Sequence, residues 1–313
     1  MEHFVTLFNS LFLQQGLALH MSMERHVREY VLWILCVDDE SYEVLGRLEL
    51  PNVRRLKLSD LETPELLEVK SGRTIGEYCW TLTPFAPRFV FEADLSVERV
   101  TYIDADIWFR KHPKQIFDEF DASGKHVLIT DHAYSPEYDQ SETSGQYCVQ
   151  FITFTREAGE SLRKWWEERC IEWCFNRLED GKFGDQKYLD GWPEDYPNIV
   201  HVLQDKELTL APWNTTRFPY GRSVFYHFHG LRLISKTRVD LGSYIIPIPV
   251  TKNIYAHYLR DLKLATQNLF ILGIKTAPQI NKLHSTRSYI QKIVKLMLIK
   301  LWPIIEWTVK KYK

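Results

Sequence analysis

The sequence is short of several features that would assign a class at once. Its five cysteines (Cys36, Cys79, Cys148, Cys170, Cys174) are odd in number and include no C-x-x-C pair. Neither a zinc knuckle nor a disulfide framework is therefore indicated, and a reducing compartment is expected. No signal-peptide pattern precedes the first strand-like run at residues 3–8, so the chain is expected to begin directly in its fold. No internal repeat or low-complexity linker is found in the 313 residues, a length that allows one large core, or one core with a small appendage. The first strand-like run continues into Asn9-Ser10-Leu11-Phe12 and not into a glycine-rich, basic loop. That absence counts against a nucleotidyltransferase that builds activated sugars.

Aromatic residues are plentiful, with ten Trp and sixteen Tyr. Such rings stack on the apolar faces of sugars and also fill cores, so their abundance alone decides nothing. The net charge of −2 hides an asymmetry. From Thr251 onward there are twelve Lys and Arg against Asp261 and Glu306, while residues 1–250 carry 27 basic and 39 acidic side chains. A tail of +10 on a body of −12 points to an electrostatic partner for the tail, and an anionic membrane surface is expected in preference to nucleic acid.

Strand and helix signals alternate through the first hundred residues: strand-like runs at 4–8, 30–37 and 53–58, a helical stretch at 17–30, and a helical or irregular stretch at 76–92 before a strand at 99–103. This alternation predicts βαβ units and a largely parallel sheet. Downstream, helices are predicted at 113–120 and 157–178, and strands at 127–131, 148–155, 199–203 and 224–228. Trp165, Trp166 and Trp173 on the second helix are expected to pack into the core. In open parallel sheets ligands sit beyond the carboxyl ends of the strands, which is where Asp38-Asp39 and Asp104-x-Asp106 fall.

The run Thr101-Tyr102-Ile103-Asp104-Ala105-Asp106 ends a β-branched, apolar segment with two aspartates. If the strand continues, positions i and i+2 share a face and the carboxylates project together. Paired carboxylates repel unless a proton or cation neutralises them, and hard oxygen ligands suit Mg²⁺ or Mn²⁺. An isolated D-x-D is more often a turn after a strand. Three later blocks weigh the other way: Asp185-Gln186 at a helix start, Trp213-Asn214 in a loop, and His227-Phe228-His229-Gly230.

In this order the four blocks resemble the GT-A glycosyltransferases, and within them glycosyltransferase family 8, whose relatives include bacterial lipooligosaccharide galactosyltransferases and glycogenin. The resemblance spans about residues 4–235. It implies an α/β GT-A nucleotide-diphospho-sugar transferase fold, with a Rossmann-like, mostly parallel sheet flanked by helices over residues 1–250. A basic helical segment at 251–313 follows. Asp104, Asp106 and His227 are implied as ligands of Mn²⁺ or Mg²⁺, with His229 as the competing histidine. Asp185 and Gln186 are implied as the catalytic pair lining the donor sugar, although an aspartate after glycine is also a good helix N-cap. Asn9, Asp38, Asp104, Ala105, Asp106, Cys148, Gln150, Trp213, Asn214, Gly230 and Arg232 are expected around the donor.

The chain also departs from the family. Where family 8 usually carries F-N-x-G it has Tyr147-Cys148-Val149-Gln150, and Pro87, beside Arg88, stands where an arginine is usual. Both departures lie where the donor sugar would be read, so the usual hexose is not assumed. The lysine that usually binds the β-phosphate is not matched in register, and Arg232 is its candidate substitute.

Residues 288–313 read as an amphipathic helix, with Lys292, Lys295, Lys300, Glu306 and Lys310 within about 160° of arc. Pro303 would kink it, charges interrupt it too often for a membrane span, and Trp302 and Trp307 suit a headgroup interface. Contact with the cytoplasmic face of the membrane is favoured over docking on the catalytic body or on a second subunit.

The resemblance thus implies a metal-dependent, retaining glycosyltransferase. It would move a sugar from a nucleotide-diphosphate donor, UDP-sugar first, to a hydroxyl of a glycan or glycolipid in cell-surface polysaccharide synthesis. A front-face substitution is expected, in which a departing phosphate oxygen helps deprotonate the acceptor. A sugar nucleotidyltransferase and a non-catalytic nucleotide- or glycan-binding module are the alternatives.

Overall fold

In the computed structural model, which describes residues 1–279 except 220, 236 and 237, the apolar runs form a seven-stranded sheet. Its strands are β1 (Glu2–Phe8), β2 (Tyr30–Cys36), β3 (Val53–Lys57), β4 (Arg99–Ile103), β6 (Val127–Asp131), β7 (Tyr147–Thr155) and β8 (Val200–Val202), in the order β3-β2-β1-β4-β7-β6-β8. Strands β1 to β4 run parallel, and β7 is antiparallel to both of its neighbours. A smaller three-stranded ladder joins β5 (Ile107–Phe109), β9 (Thr209–Leu210) and β10 (Phe225–His227) in the order β5-β10-β9.

Period-two alternation sends successive side chains to opposite faces of a strand, and both faces of this sheet are covered. Val5 and Leu7 of β1 join Val31, Trp33 and Leu35 of β2 in one core, while Phe4 and Phe8 join Leu32, Ile34 and Cys36 in the other. Burial on both faces explains why these strands read as unbroken apolar runs. Phe151 of β7 is fully buried and stacks on Phe225 of β10, with ring centres 5.4 Å apart and 12° between planes. That contact fixes the small ladder against the large sheet.

The helix predicted at 17–30 lies four residues earlier, at Leu13–His26, where it ends on the extended residue Val27. The stretch 76–92 is two helices, Ile75–Leu82 and Phe85–Ala93; the first opens on a capping box between Thr74 and Glu77, an arrangement that satisfies two otherwise free N–H groups. The helix predicted at 157–178 spans only Ala158–Glu172, because Trp173 turns to extended backbone. As expected, Trp166 and Trp173 are buried.

Residues Met1–His229 and Ile245–Thr276 form one compact unit, and Gly230–Tyr244 with residues 277–279 form a second. Residues beyond 250 thus contribute to the first unit. Helix Ala256–Ile271 packs on helix Leu13–His26, and its buried Asp261 accepts the indole N–H of Trp108 on β5 at 2.7 Å and also pairs with Arg25. Tyr258 stacks on Phe228, immediately after β10, at 3.6 Å and 10°. The small ladder is therefore backed by helix Ala256–Ile271. In the second unit, β11 (Arg232–Ser235) and β12 (Arg238–Asp240) make an antiparallel hairpin. Gly242 has φ +85° there, and a Cβ on it would approach the Gly230 carbonyl oxygen to 3.3 Å.

Among the described residues no helix is long and apolar enough to cross a membrane. The amphipathic segment expected at 288–313 lies outside the described residues.

Candidate active site

The carboxyl ends of β1, β2 and β4 lie at one edge of the sheet, and each carries a polar residue named by the sequence. Asp104 and Asp106 do not continue a strand. They occupy a tight turn between β4 and β5, closed by the Ile107 N–H donating to the Asp104 carbonyl at 3.2 Å. The same-face strand geometry is thus replaced by a turn, and the two carboxylates still converge.

His227 reaches them through strand pairing. In the antiparallel β5–β10 ladder His227 stands opposite Ile107, and the next N–H, of Phe228, donates to the Asp106 carbonyl at 2.9 Å. The imidazole Nε2 lies 3.1 Å from Asp106 Oδ1 and 3.5 Å from Asp104 Oδ2. One ligand atom from each of the three residues lies within 4.8 Å of the others. Of the two histidines, His227 is the one grouped with both aspartates. The ring of His229 lies 5.7 Å from that of His227 and packs edge-on to Trp213 at 5.4 Å.

Two carboxylates this close repel unless a proton or a cation neutralises them. Burial raises the Asp104 carboxyl above its ordinary range; His227 opposes that shift and Asp106 adds to it. Burial would lower the His227 imidazole, yet the facing Asp106 carboxylate, with Asp104 behind it, holds it well above its ordinary value. The Asp104 and Asp106 side chains keep 23% and 14% exposure, so the cluster opens to ligands. Two carboxylate oxygens and one imidazole nitrogen at this separation fit Mn²⁺ or Mg²⁺, with positions left for phosphate oxygens.

Asp185 is the second convergent feature. Gly184 holds φ +54°, a left-handed turn that glycine adopts without a Cβ penalty, and it sets Asp185 before a 3₁₀ turn at Gln186–Gly191. The carboxylate makes no capping bond there. It is 2% exposed, and its Oδ2 has no hydrogen-bond partner, while its main-chain carbonyl accepts the Trp166 indole at 2.8 Å. Burial pushes the carboxyl up to about 7; a hydrogen bond from Thr83 opposes the shift and the Asp104 charge reinforces it. Gln186, beside it, donates from Nε2 to the Ser144 carbonyl at 2.6 Å.

Other sequence-named residues spend their polar groups inside the protein. The Asp38 carboxylate accepts from the Ser41 N–H at 2.9 Å and from the Ser10 N–H and hydroxyl at 2.9 and 2.8 Å, tying the end of β2 to the end of β1. Burial would raise its carboxyl, but these bonds hold it below its ordinary range. Asn9 accepts from the Leu11 N–H at 3.2 Å. Asn214 is fully buried: Oδ1 accepts the Ala211 N–H at 2.9 Å, and Nδ2 donates to the His132 and Thr209 carbonyls, both at 3.1 Å. Trp213 donates its indole N–H to the same His132 carbonyl at 2.8 Å and sets its ring edge-on to His227 at 5.3 Å.

Ala105 is nearly buried within the aspartate turn. Cys148 is buried with a raised thiol, set by burial and opposed by its hydrogen bond with His227. Gln150 is fully buried, and its Oε1 lies 2.9 Å from His227 Nδ1. Gly230, at φ +79°, and Arg232, which donates to the Leu231 carbonyl at 2.8 Å, belong to the second unit.

Two residues to which the sequence reading gave no role of their own also act on the carboxylates. Tyr102 donates its hydroxyl to Asp104 Oδ1 at 2.9 Å, and the Thr83 hydroxyl opposes the rise of the Asp185 carboxyl. Tyr102 stands two residues before Asp104, near the end of β4, which is the local signal for the first. Thr83 is distant in sequence and gave none.

No protein-family model matches the chain. The uncharacterized protein YfnD of Bacillus subtilis is 30% identical over 279 residues, covering 83% of this chain and 88% of its own length. The uncharacterized protein YfnF of the same organism is 34% identical over 243 residues, covering 71% and 79%. Among solved structures, the galactosyltransferase LgtC in complex with donor and acceptor sugar analogs superposes with a TM-score of 0.53 at 13% identity, covering 88% of this chain and 98% of that one. The chain belongs to the family of YfnD and YfnF, and its fold is the GT-A fold of the glycosyltransferases.

Proposed function

We propose that this protein is a glycosyltransferase that moves a sugar from a nucleotide-diphosphate donor, UDP-sugar first, to a hydroxyl of a glycan or glycolipid acceptor, using a divalent cation. The observation that carries the reading is the convergence of Asp104, Asp106 and His227 at the carboxyl edge of a GT-A sheet. Mn²⁺ or Mg²⁺ bound there would supply charge neutralisation for the diphosphate and stabilise it as a leaving group. Asp104 and Asp106 hold the charge that attracts the ion, and the turn between β4 and β5 fixes their separation. Asp185, with Oδ2 unpartnered and buried, accepts a hydrogen bond from a donor-sugar hydroxyl. A hydroxyl that pairs with this oxygen removes the cost of a buried, unsatisfied acceptor, so the sugar is bound and oriented by one contact.

Gln186 stands next in the chain, near the reacting carbon. Transfer with retention of anomeric configuration is the reading that the family 8 resemblance supports. A role in cell-surface polysaccharide synthesis, with peripheral attachment through residues 288–313, completes the proposal.

A donor screen by differential scanning fluorimetry in Mn²⁺, using UDP-, GDP- and dTDP-sugars, tests it. A shift selective for one nucleotide supports the reading, and NMR of the product formed from that donor reports the anomeric outcome. No shift with any nucleotide sugar would overturn it.

A further inference from the structure

We infer that Gln150 is a positioning residue for the cation site: its side-chain oxygen holds the His227 imidazole with Nδ1 protonated, which leaves Nε2 free to coordinate. The inference rests on the metal reading above and deepens it. An imidazole that ligates through Nε2 must carry its proton on Nδ1, and that proton needs an acceptor when the ring is buried. His227 is 5% exposed, and its Nε2 is the nitrogen facing Asp106 and Asp104, at 3.1 and 3.5 Å. On the opposite side of the ring Nδ1 meets Gln150 Oε1 at 2.9 Å.

The amide is oriented by this ring. Gln150 Nε2 has no hydrogen-bond partner, so no second contact competes for the direction of the carboxamide. Reversing the amide would aim an N–H at Nδ1, force the ring proton onto Nε2, and leave no lone pair for a cation.

The same residue also holds a second ligand. The Gln150 carbonyl accepts the Asp104 N–H at 3.2 Å, where the antiparallel β4–β7 pairing runs out just past Ile103 and Phe151. One residue of β7 therefore sets the backbone of Asp104 through its main chain and the ring of His227 through its side chain. Two ligands far apart in sequence are referenced to a single buried point, and outer-sphere partners of this kind determine ligand orientation and metal affinity.

The test is Mn²⁺ affinity, measured by isothermal titration calorimetry with MnCl₂ alone, for wild type, Gln150→Met, Gln150→Glu and His227→Ala. Methionine keeps the length of glutamine and removes the acceptor. Glutamate keeps the acceptor and removes the N–H donors. Gln150→Met should bind Mn²⁺ about 10–100-fold more weakly, and Gln150→Glu should bind at least as tightly as wild type. If Gln150→Met does not fold, Gln150→Glu decides alone, and weaker binding than wild type overturns the inference. Unchanged affinity in Gln150→Met with loss of binding in His227→Ala overturns the role of Gln150 and leaves the metal site standing. Unchanged affinity in His227→Ala overturns the metal reading itself.

Discussion

His227 stands opposite Ile107 in a short antiparallel ladder, and this single register brings its Nε2 to 3.1 Å from Asp106 Oδ1. The ladder is held from both sides, by Phe151 of the large sheet against Phe225 and by Tyr258 of helix Ala256–Ile271 against Phe228. The geometry of the site is thus a property of the packed unit and not of one flexible loop.

On the proposed function, Asp104→Asn, Asp106→Asn and His227→Ala should each lower turnover by orders of magnitude with little loss of fold, because each would remove a ligand of the proposed cation and not a packing group. Turnover with the donor found by screening, read beside circular dichroism, checks this. A variant that keeps full turnover would remove its residue from the site.

Asp185 makes a prediction about pH. Its carboxyl sits at about 7 in the folded protein against an ordinary value of 3.8, so between these values the folded state binds more protons than the unfolded one. The stability it contributes is complete below the unfolded value and is lost as pH rises through the folded one. In metal-free protein, Asp185→Asn and wild type should unfold at similar urea concentrations at pH 4. At pH 8 the variant should be more stable, by on the order of 3 kcal/mol. Equal stability at both pH values would show that the carboxylate is satisfied in a way the hydrogen bonding here does not provide.

Asn214 makes a prediction about stability. Alanine there would leave the Ala211 N–H and the His132 and Thr209 carbonyls short of one bond each, at a cost of about 2–4 kcal/mol. Urea denaturation at neutral pH measures it. A residue that only touched the donor would instead change donor affinity and leave stability alone.

The basic segment makes a prediction about membranes. Each Lys or Arg near an anionic surface contributes about 1 kcal/mol, so the full chain should float with vesicles containing anionic lipid, and a chain ending at 279 should not. The shortened protein keeps the residues that back the small ladder, through Ile271, and should still turn over a water-soluble acceptor. Equal flotation of the two chains would rule the segment out as an anchor.

Much of this was legible in the sequence. Asp104, Asp106 and His227 could be named because the aspartates end an apolar run and the histidine recurs in a recognisable block. Their meeting depends on the pairing of β10, which lies inside the strand expected at 224–228, with β5, a three-residue strand for which no separate prediction was made. The exchange of F-N-x-G for Tyr147-Cys148-Val149-Gln150 was visible as a departure at the donor sugar. That Gln150 bonds His227 was not, because it follows from the antiparallel register of β7. Asp185 read equally well as a helix cap, and only the 3₁₀ turn after Gly184, which leaves the carboxylate uncapped, separates the two roles. Asn214 and Asp38 were found by pattern, but short-range hydrogen bonds to backbone consume them, a use that local sequence does not distinguish from ligand binding.

The central claim is that Asp104, Asp106 and His227 bind a nucleoside diphosphate through a divalent cation. Calorimetric titration of UDP into the protein in Mn²⁺, in EDTA, and in Mn²⁺ with the Asp106→Asn variant tests it most directly. The account predicts binding in Mn²⁺ that disappears with EDTA and is greatly weakened in the variant; UDP binding of equal strength in all three conditions would contradict it.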